Sequence, residues 1–139
     1  MKKIILFVIL LSINAIIFAQ TGKIKVEVSN INNEKGVIYI GIYNNPTTFP
    51  KADVVFEKRI KAKKTTISHS FENVKTGNYA VAIYHDEDEN GKINRYFFGM
   101  PSEQYGFSRN PSVFGLPKYE DCSFELNKNK IVTVKIKLK

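Results

Sequence analysis

Apolar and polar residues alternate along most of the chain after residue 22. Ile24, Val26 and Val28 are separated by Lys25 and Glu27, the period-two pattern of a strand with one buried face. After the turn-like run Asn32-Asn33-Glu34-Lys35-Gly36, Ile38, Ile40 and Ile42 repeat the pattern, so these two runs predict a first hairpin. Asn44-Asn45-Pro46 then breaks the sheet, and residues 49–53 suit a short helical turn. Residues 55–61 and 64–71 predict two further strands, the second with Thr65, Ile67, His69 and Phe71 on one face. Beyond the turn at 73–77, Tyr79, Val81 and Ile83 share a face. Ala80 and Ala82 occupy the other, where their small side chains leave room for close covering by a loop or a partner. The last predicted strands are 122–126 and 131–138, with Val132, Val134, Ile136 and Leu138 facing inward. No window of helical length keeps a 3.6-residue period, so the expected fold is all-β, an antiparallel two-sheet sandwich of about seven strands, with an open barrel as the second choice.

The first residues break this pattern. Lys2 and Lys3 precede an almost uninterrupted apolar run at 4–18, and Ala19 before Gln20 offers a small residue at a cleavage point. Residues 1–19 therefore read as a signal peptide, because the run is shorter than the roughly 20 residues a membrane-spanning helix needs. The expectation is an exported chain, periplasmic or secreted and not an integral membrane protein once processed, with residues 20–139 forming a single domain and acting as a monomer. The net charge is +8, two units of which come from Lys2 and Lys3. The remaining excess lies on solvent-facing strand positions such as Lys23, Lys25, Lys135 and Lys137, and nucleic acid is not an expected partner of an exported chain without a basic motif interleaved with aromatics. Cys122 is the only cysteine, which excludes an intrachain disulfide, and its neighbours place it on a strand as a small buried hydrophobe.

Candidate chemistry is concentrated at residues 86–94, which read D-x-D-x-N-G-x-x-N. Oxygen donors at positions one, three, five and nine, a backbone carbonyl at seven and glycine at six form the spacing by which a short loop wraps calcium. The corresponding ligands are Asp86, Asp88, Asn90, the Lys92 carbonyl and Asn94. Position twelve, where a bidentate glutamate belongs, is Phe97. Calcium then needs a carboxylate folding back from elsewhere, and Glu103, Glu120 and Asp121 are the candidates. Without such a donor, affinity falls toward the 10⁻⁴ to 10⁻³ M range. The competing reading is structural: Asn90-Gly91 is a favoured hairpin-turn dipeptide with soluble acidic neighbours.

A connection at 96–119, rich in aromatics, glycine and proline, is longer than compact domains usually carry. Some of its rings must cap the sandwich, and those left exposed form an apolar recognition patch. Tyr96, Phe98, Tyr105, Phe107 and Phe114 are the candidate partner surface.

Three segments together carry a resemblance: F-E-N-V-K-T-G-N-Y-A-V at 71–81, H-D-E-D-E-N-G-K-I-N at 85–94, and G-M-P-S-E-Q-Y-G-F-S at 99–108. They resemble the bacterial exported family catalogued as domain of unknown function 2141, over essentially all of residues 22–139. The first segment is also similar to the strand-turn-strand of prealbumin-like or transthyretin-like sandwiches. The resemblance thus implies a sandwich of the immunoglobulin or prealbumin kind and an exported location, and it implies no activity.

Two functions from different classes follow. The first is a noncatalytic exported binding or structural module, calcium-bound at 86–94, whose aromatic segment contacts a cell-envelope polymer, peptide or protein. The second is a small periplasmic hydrolase using His85 with Asp86 or Glu103 as acid or base. Turn-tip carboxylates are normally solvated and lack the burial that shifts a pKa for such work, and Ser108 lacks a nucleophile-elbow setting. A closed pocket joining His85 to Glu103 would favour the enzyme; an open tip with exposed rings would favour the module.

Overall fold

The computed structural model describes residues 20–139; the expected signal peptide at 1–19 lies outside the described residues. Among the described residues, eight strands form in chain order: β1 Thr21–Ser29, β2 Val37–Tyr43, β3 Val54–Lys61, β4 Ile67–Lys75, β5 Gly77–Asp86, β6 Tyr105–Phe107, β7 Phe124–Leu126 and β8 Ile131–Lys137. Helix α1, Tyr119–Cys122, is a single turn between β6 and β7. One sheet runs β4-β1-β8, the other β3-β2-β5-β6, and β7 pairs with the start of β5.

The alternation predicted from the sequence decides which side chains meet between the sheets. Ile24, Val26 and Val28 from one sheet and Ile38, Ile40, Ile42, Val81 and Ile83 from the other join a single core cluster, closed by Val134, Ile136 and Leu138. Burying each such side chain contributes about 1.5 to 3 kcal/mol relative to leaving it in water.

Two pairings differ from expectation. β1 and β2 do not form a hairpin; they lie in opposite sheets, β1 against β4 and β8, and β2 against β3 and β5. The residues between them, at 30–36, cross from one sheet to the other instead of turning tightly. The otherwise antiparallel sandwich also contains one parallel pair, β1 with β8, in which Val26 faces Val134 and Val28 faces Ile136. Both outcomes preserve the inward face of every strand, since alternation specifies a face and leaves partner and direction to the chain's long connections.

The outer face of the larger sheet is also covered. β2 buries both its faces: Ile38, Ile40 and Ile42 inward, Tyr39 and Tyr43 outward. Over Ala80 lies a second small core, built from Tyr43 and Phe107 on the sheet, Phe49 from the turn after β2, and Tyr119 and Cys122 from α1. Phe49 meets Tyr43, Phe107 and Tyr119 edge to face at 5.4, 6.0 and 5.7 Å. Tyr119 completes the cover by donating its hydroxyl to the Asn78 carbonyl at 2.7 Å. Cys122 therefore ends a helical turn and does not open a strand, yet it is buried as expected, and burial pushes its thiol up to about 11. Its strand-like neighbourhood begins two residues later, at Phe124.

Candidate metal centre

β5 delivers Asp86 at its end, with the carboxylate buried beneath the loop that follows. Its Oδ1 accepts the Asn90 N–H at 3.1 Å and its Oδ2 accepts the Gly91 N–H at 2.9 Å. The first residue of the motif thus folds positions five and six back over itself. Gly91 sits at φ +77°, in the left-handed region that glycine enters without a Cβ penalty. Asn90-Gly91 does not join two strands: β5 ends at Asp86 and the next strand starts only at Tyr105.

Of the three carboxylates considered for the missing ligand, Glu103 is the one that arrives. It is buried just before β6, and it accepts the Glu87 N–H on Oε1 at 2.9 Å and the Asn94 N–H on Oε2 at 2.7 Å. Asp121 instead accepts the Lys118 N–H at the start of α1, and Glu120 lies beside it on the same helical turn. Phe97, at position twelve, points fully into solvent.

Oxygens of Asp86, Asp88 and Glu103 all lie within 4.8 Å of one another. Calcium holds oxygens at 2.3 to 2.6 Å, so a bound ion places its ligand atoms up to about 5 Å apart, and the three carboxylates fit that span. Asp88 is exposed; hydrogen bonds, first from the Asn94 side chain and then from the Asn90 backbone, hold its carboxyl below the usual aspartate value. Asn90 and Asn94 complete the cluster: both Nδ2 groups donate to Asp88 Oδ2, at 3.1 and 2.8 Å, and Asn90 Nδ2 also donates to Asn94 Oδ1 at 2.6 Å. A half-turn of either amide about its last side-chain bond exchanges NH2 for oxygen at the same place. The Lys92 N–H donates to Asn90 Oδ1 at 2.8 Å. The groove beside the cluster is open and lined by Lys35, Glu87, Asp88, Asn94, Ser102 and Glu103.

His85, next to Asp86, does not line that groove. Its ring is fully buried, and Nε2 lies 2.7 Å from the Lys35 carbonyl oxygen, the geometry of a donated N–H. Ser108 is buried too; its Oγ accepts the Val81 N–H and donates to the Cys122 carbonyl at 2.6 Å, tying β5 to the end of α1.

The expected partner surface divides. Tyr96, Phe98 and Phe114 are exposed. Tyr105 is half-buried, and Phe107, 6% exposed, belongs to the second core and is not a surface ring. Its place on β6, hydrogen-bonded to β5 opposite Ala82, turns it under Phe49. Phe97, absent from the expected set, is the most exposed ring. A tight turn explains this: the Gly99 N–H donates to the Tyr96 carbonyl at 2.8 Å, so Phe97 and Phe98 occupy its two central positions. Consecutive aromatics just before a glycine were the signal for such a tip.

Residues 26–134 match the sequence profile of a family described as an uncharacterized protein conserved in bacteria, DUF2141. No curated protein and no solved structure matches the chain.

Proposed function

The chain belongs to that bacterial family, and we propose that it is an exported, noncatalytic binding module whose 86–94 loop is held by calcium and whose aromatic tip contacts a partner in the cell envelope. One observation carries the calcium reading: Glu103, outside the loop, comes within 4.8 Å of the Asp86 and Asp88 oxygens, supplying the carboxylate that the motif lacks. Six or more oxygens in a flexible loop suit calcium better than magnesium, which demands near-ideal octahedral geometry at shorter distances. Exposed Phe97, Phe98 and Phe114 support the contact role, because rings left in water by a folded domain are the usual centres of recognition. Against the hydrolase reading, the buried ring of His85 faces a backbone carbonyl and does not join the lining of the groove that Glu103 lines.

Calorimetric titration of residues 20–139 with calcium, then with magnesium, tests the reading. It predicts one calcium per chain and at least about tenfold weaker magnesium binding. Absence of heat with calcium at millimolar concentration contradicts it.

A further inference from the structure

The outer face of the larger sheet is covered over Ala80 but open over Ala82, and the open part is a cleft of about 310 Å3. Strand register builds it. Tyr39 faces Tyr84 and Gly41 faces Ala82 across β2 and β5, while Tyr105 faces Tyr84 across β5 and β6. Tyr39 and Tyr84 stack at 4.8 Å. A Cβ on Gly41 would come within 2.9 Å of the Tyr43 ring and 3.1 Å of the Tyr39 ring, so the glycine is what lets both rings lie down on the sheet. The result is an aromatic floor around one small side chain, Ala82, in which the Tyr39 ring lies between Tyr84 and the Arg59 guanidinium, 5.8 Å from its centre. Pro50 and Lys51 form one wall; Ile93, Arg95, Pro101 and Leu116 form the other.

We propose that this cleft binds a small planar aromatic molecule carrying one negative charge, of the aryl carboxylate type. The volume lies at the small end of ligand pockets, which suits one or two fused rings. The lining specifies the rest. Among the described residues, its polar side chains are tyrosines and two cations, Lys51 and Arg95, with no carboxylate, carboxamide, serine or threonine in the lining. A sugar needs paired donors and acceptors of the kinds missing here, and a cationic ligand would meet like charge. Glu57, on the neighbouring strand, accepts the Tyr39 hydroxyl at 2.9 Å and stands outside the lining. The Tyr84 hydroxyl is likewise engaged, donating to the Gly91 carbonyl at 3.1 Å. With those two hydroxyls bound elsewhere, the tyrosines meet a guest in the cleft through ring carbon, which suits an aromatic molecule. Lys51 has no ion-pair partner among the described residues and supplies the charge at the rim.

The cleft shares no lining residue with the groove at the oxygen cluster, but Ile93 and the Gly91 carbonyl belong to the 86–94 loop, so its test is run both in chelator and in calcium. The probes are 2-naphthoate, its neutral alcohol analogue 2-naphthalenemethanol, and the cationic 2-naphthylmethylamine, titrated by two-dimensional NMR. Naphthoate is expected to bind with Kd below about 1 mM and at least about tenfold tighter than the alcohol, with no saturable binding of the amine. Shifts should centre on the Ala82, Tyr84 and Tyr105 amides. Ala82→Leu fills the cleft and should abolish binding. Lys51→Glu, in an exposed turn, should weaken naphthoate at least about tenfold while leaving the alcohol unchanged. Equal binding of the three probes, shifts centred on Phe97 and Phe114, or unaltered naphthoate binding by a folded Ala82→Leu protein would each overturn the proposal. So would the absence of naphthoate binding at millimolar concentration.

Discussion

Glu103 accepts the backbone N–H of Asn94 at 2.7 Å, and this bond closes the 86–94 loop at its far end just as Asp86 closes it at its beginning. The two buried carboxylates thereby fix both ends of a segment in which Asp88 and Asn90 are exposed and Asn94 is half-buried. The loop is anchored by acids that also face the proposed ion, so structural and ligand roles must be separated by comparing variants with and without calcium.

Asp86→Ala removes the acceptor of the Gly91 N–H and leaves the Asn90 N–H only its longer bond to Asp88 Oδ1 at 3.3 Å. The expected loss is about 1 to 2 kcal/mol in chelator, the lower part of the range for stranding a donor, since both bonds are only partly buried. Asp88→Ala, at an exposed position, should change stability by no more than about 0.5 kcal/mol under the same conditions. Urea unfolding in chelator measures both, and both variants should lose any gain on adding calcium.

Glu103→Gln keeps the shape of the side chain and removes one charge. Since ligand charge tunes calcium affinity, Kd should rise at least about tenfold. Unchanged affinity in calorimetry would assign Glu103 to loop closure alone.

Ile83→Ala tests the core. Ile83 is buried opposite Ile40 in the β2–β5 ladder, and a large-to-small change there should cost about 2 to 5 kcal/mol. A loss below about 1 kcal/mol would mean that the two sheets do not pack through this layer.

Burial raises the pKa of Cys122 to about 11 and also raises those of Tyr43, Tyr79, Tyr84 and Tyr119. For Tyr39, burial is joined by the hydrogen bond to Glu57. Each group ionises more readily in the unfolded chain, so each contribution is intact below the unfolded pKa and declines as pH rises toward the folded value. For Cys122 that window runs from its ordinary value of 9.0 to about 11. Stability measured by urea unfolding should therefore fall with pH above about 9, and Cys122 should resist alkylation at pH 8 until denaturant is added. Rapid alkylation of the native protein would contradict the burial.

How far the sequence foretold this molecule depends on the range of the interaction. Strict alternation at Ile24, Val26 and Val28, and again at Ile38, Ile40 and Ile42, was enough to identify the inward faces, because burial of one face is a local pattern. It could not decide that β1 joins β8 in parallel and leaves β2 to the other sheet, since a strand's neighbours depend on connections between distant segments. Likewise, the spacing of 86–94 was legible, but choosing Glu103 over Glu120 and Asp121 required the tertiary path of the long connection. That connection lacks any period, which is why Phe107 was not separable from the exposed rings. For the cleft, the small side chains of Ala80 and Ala82 were legible as room on the sheet, but the rings that frame Ala82 depend on the β2–β5 register, which sets Tyr39 beside Tyr84 and Gly41 beside Ala82.

The central claim is that calcium joins Asp86, Asp88, Asn90, the Lys92 carbonyl and Asn94 to Glu103 and so stabilises the native domain. Thermal melts of residues 20–139 in chelator and in calcium test it most directly. An ion that binds only the folded state adds RT ln(1 + [Ca]/Kd), about 2.7 kcal/mol at 100 times Kd. For a domain of this size that gain corresponds to a rise in Tm of roughly 10 °C or more. The account predicts such a rise for the wild-type domain and none for Asp86→Ala or Asp88→Ala; an identical wild-type Tm in chelator and in millimolar calcium would contradict it.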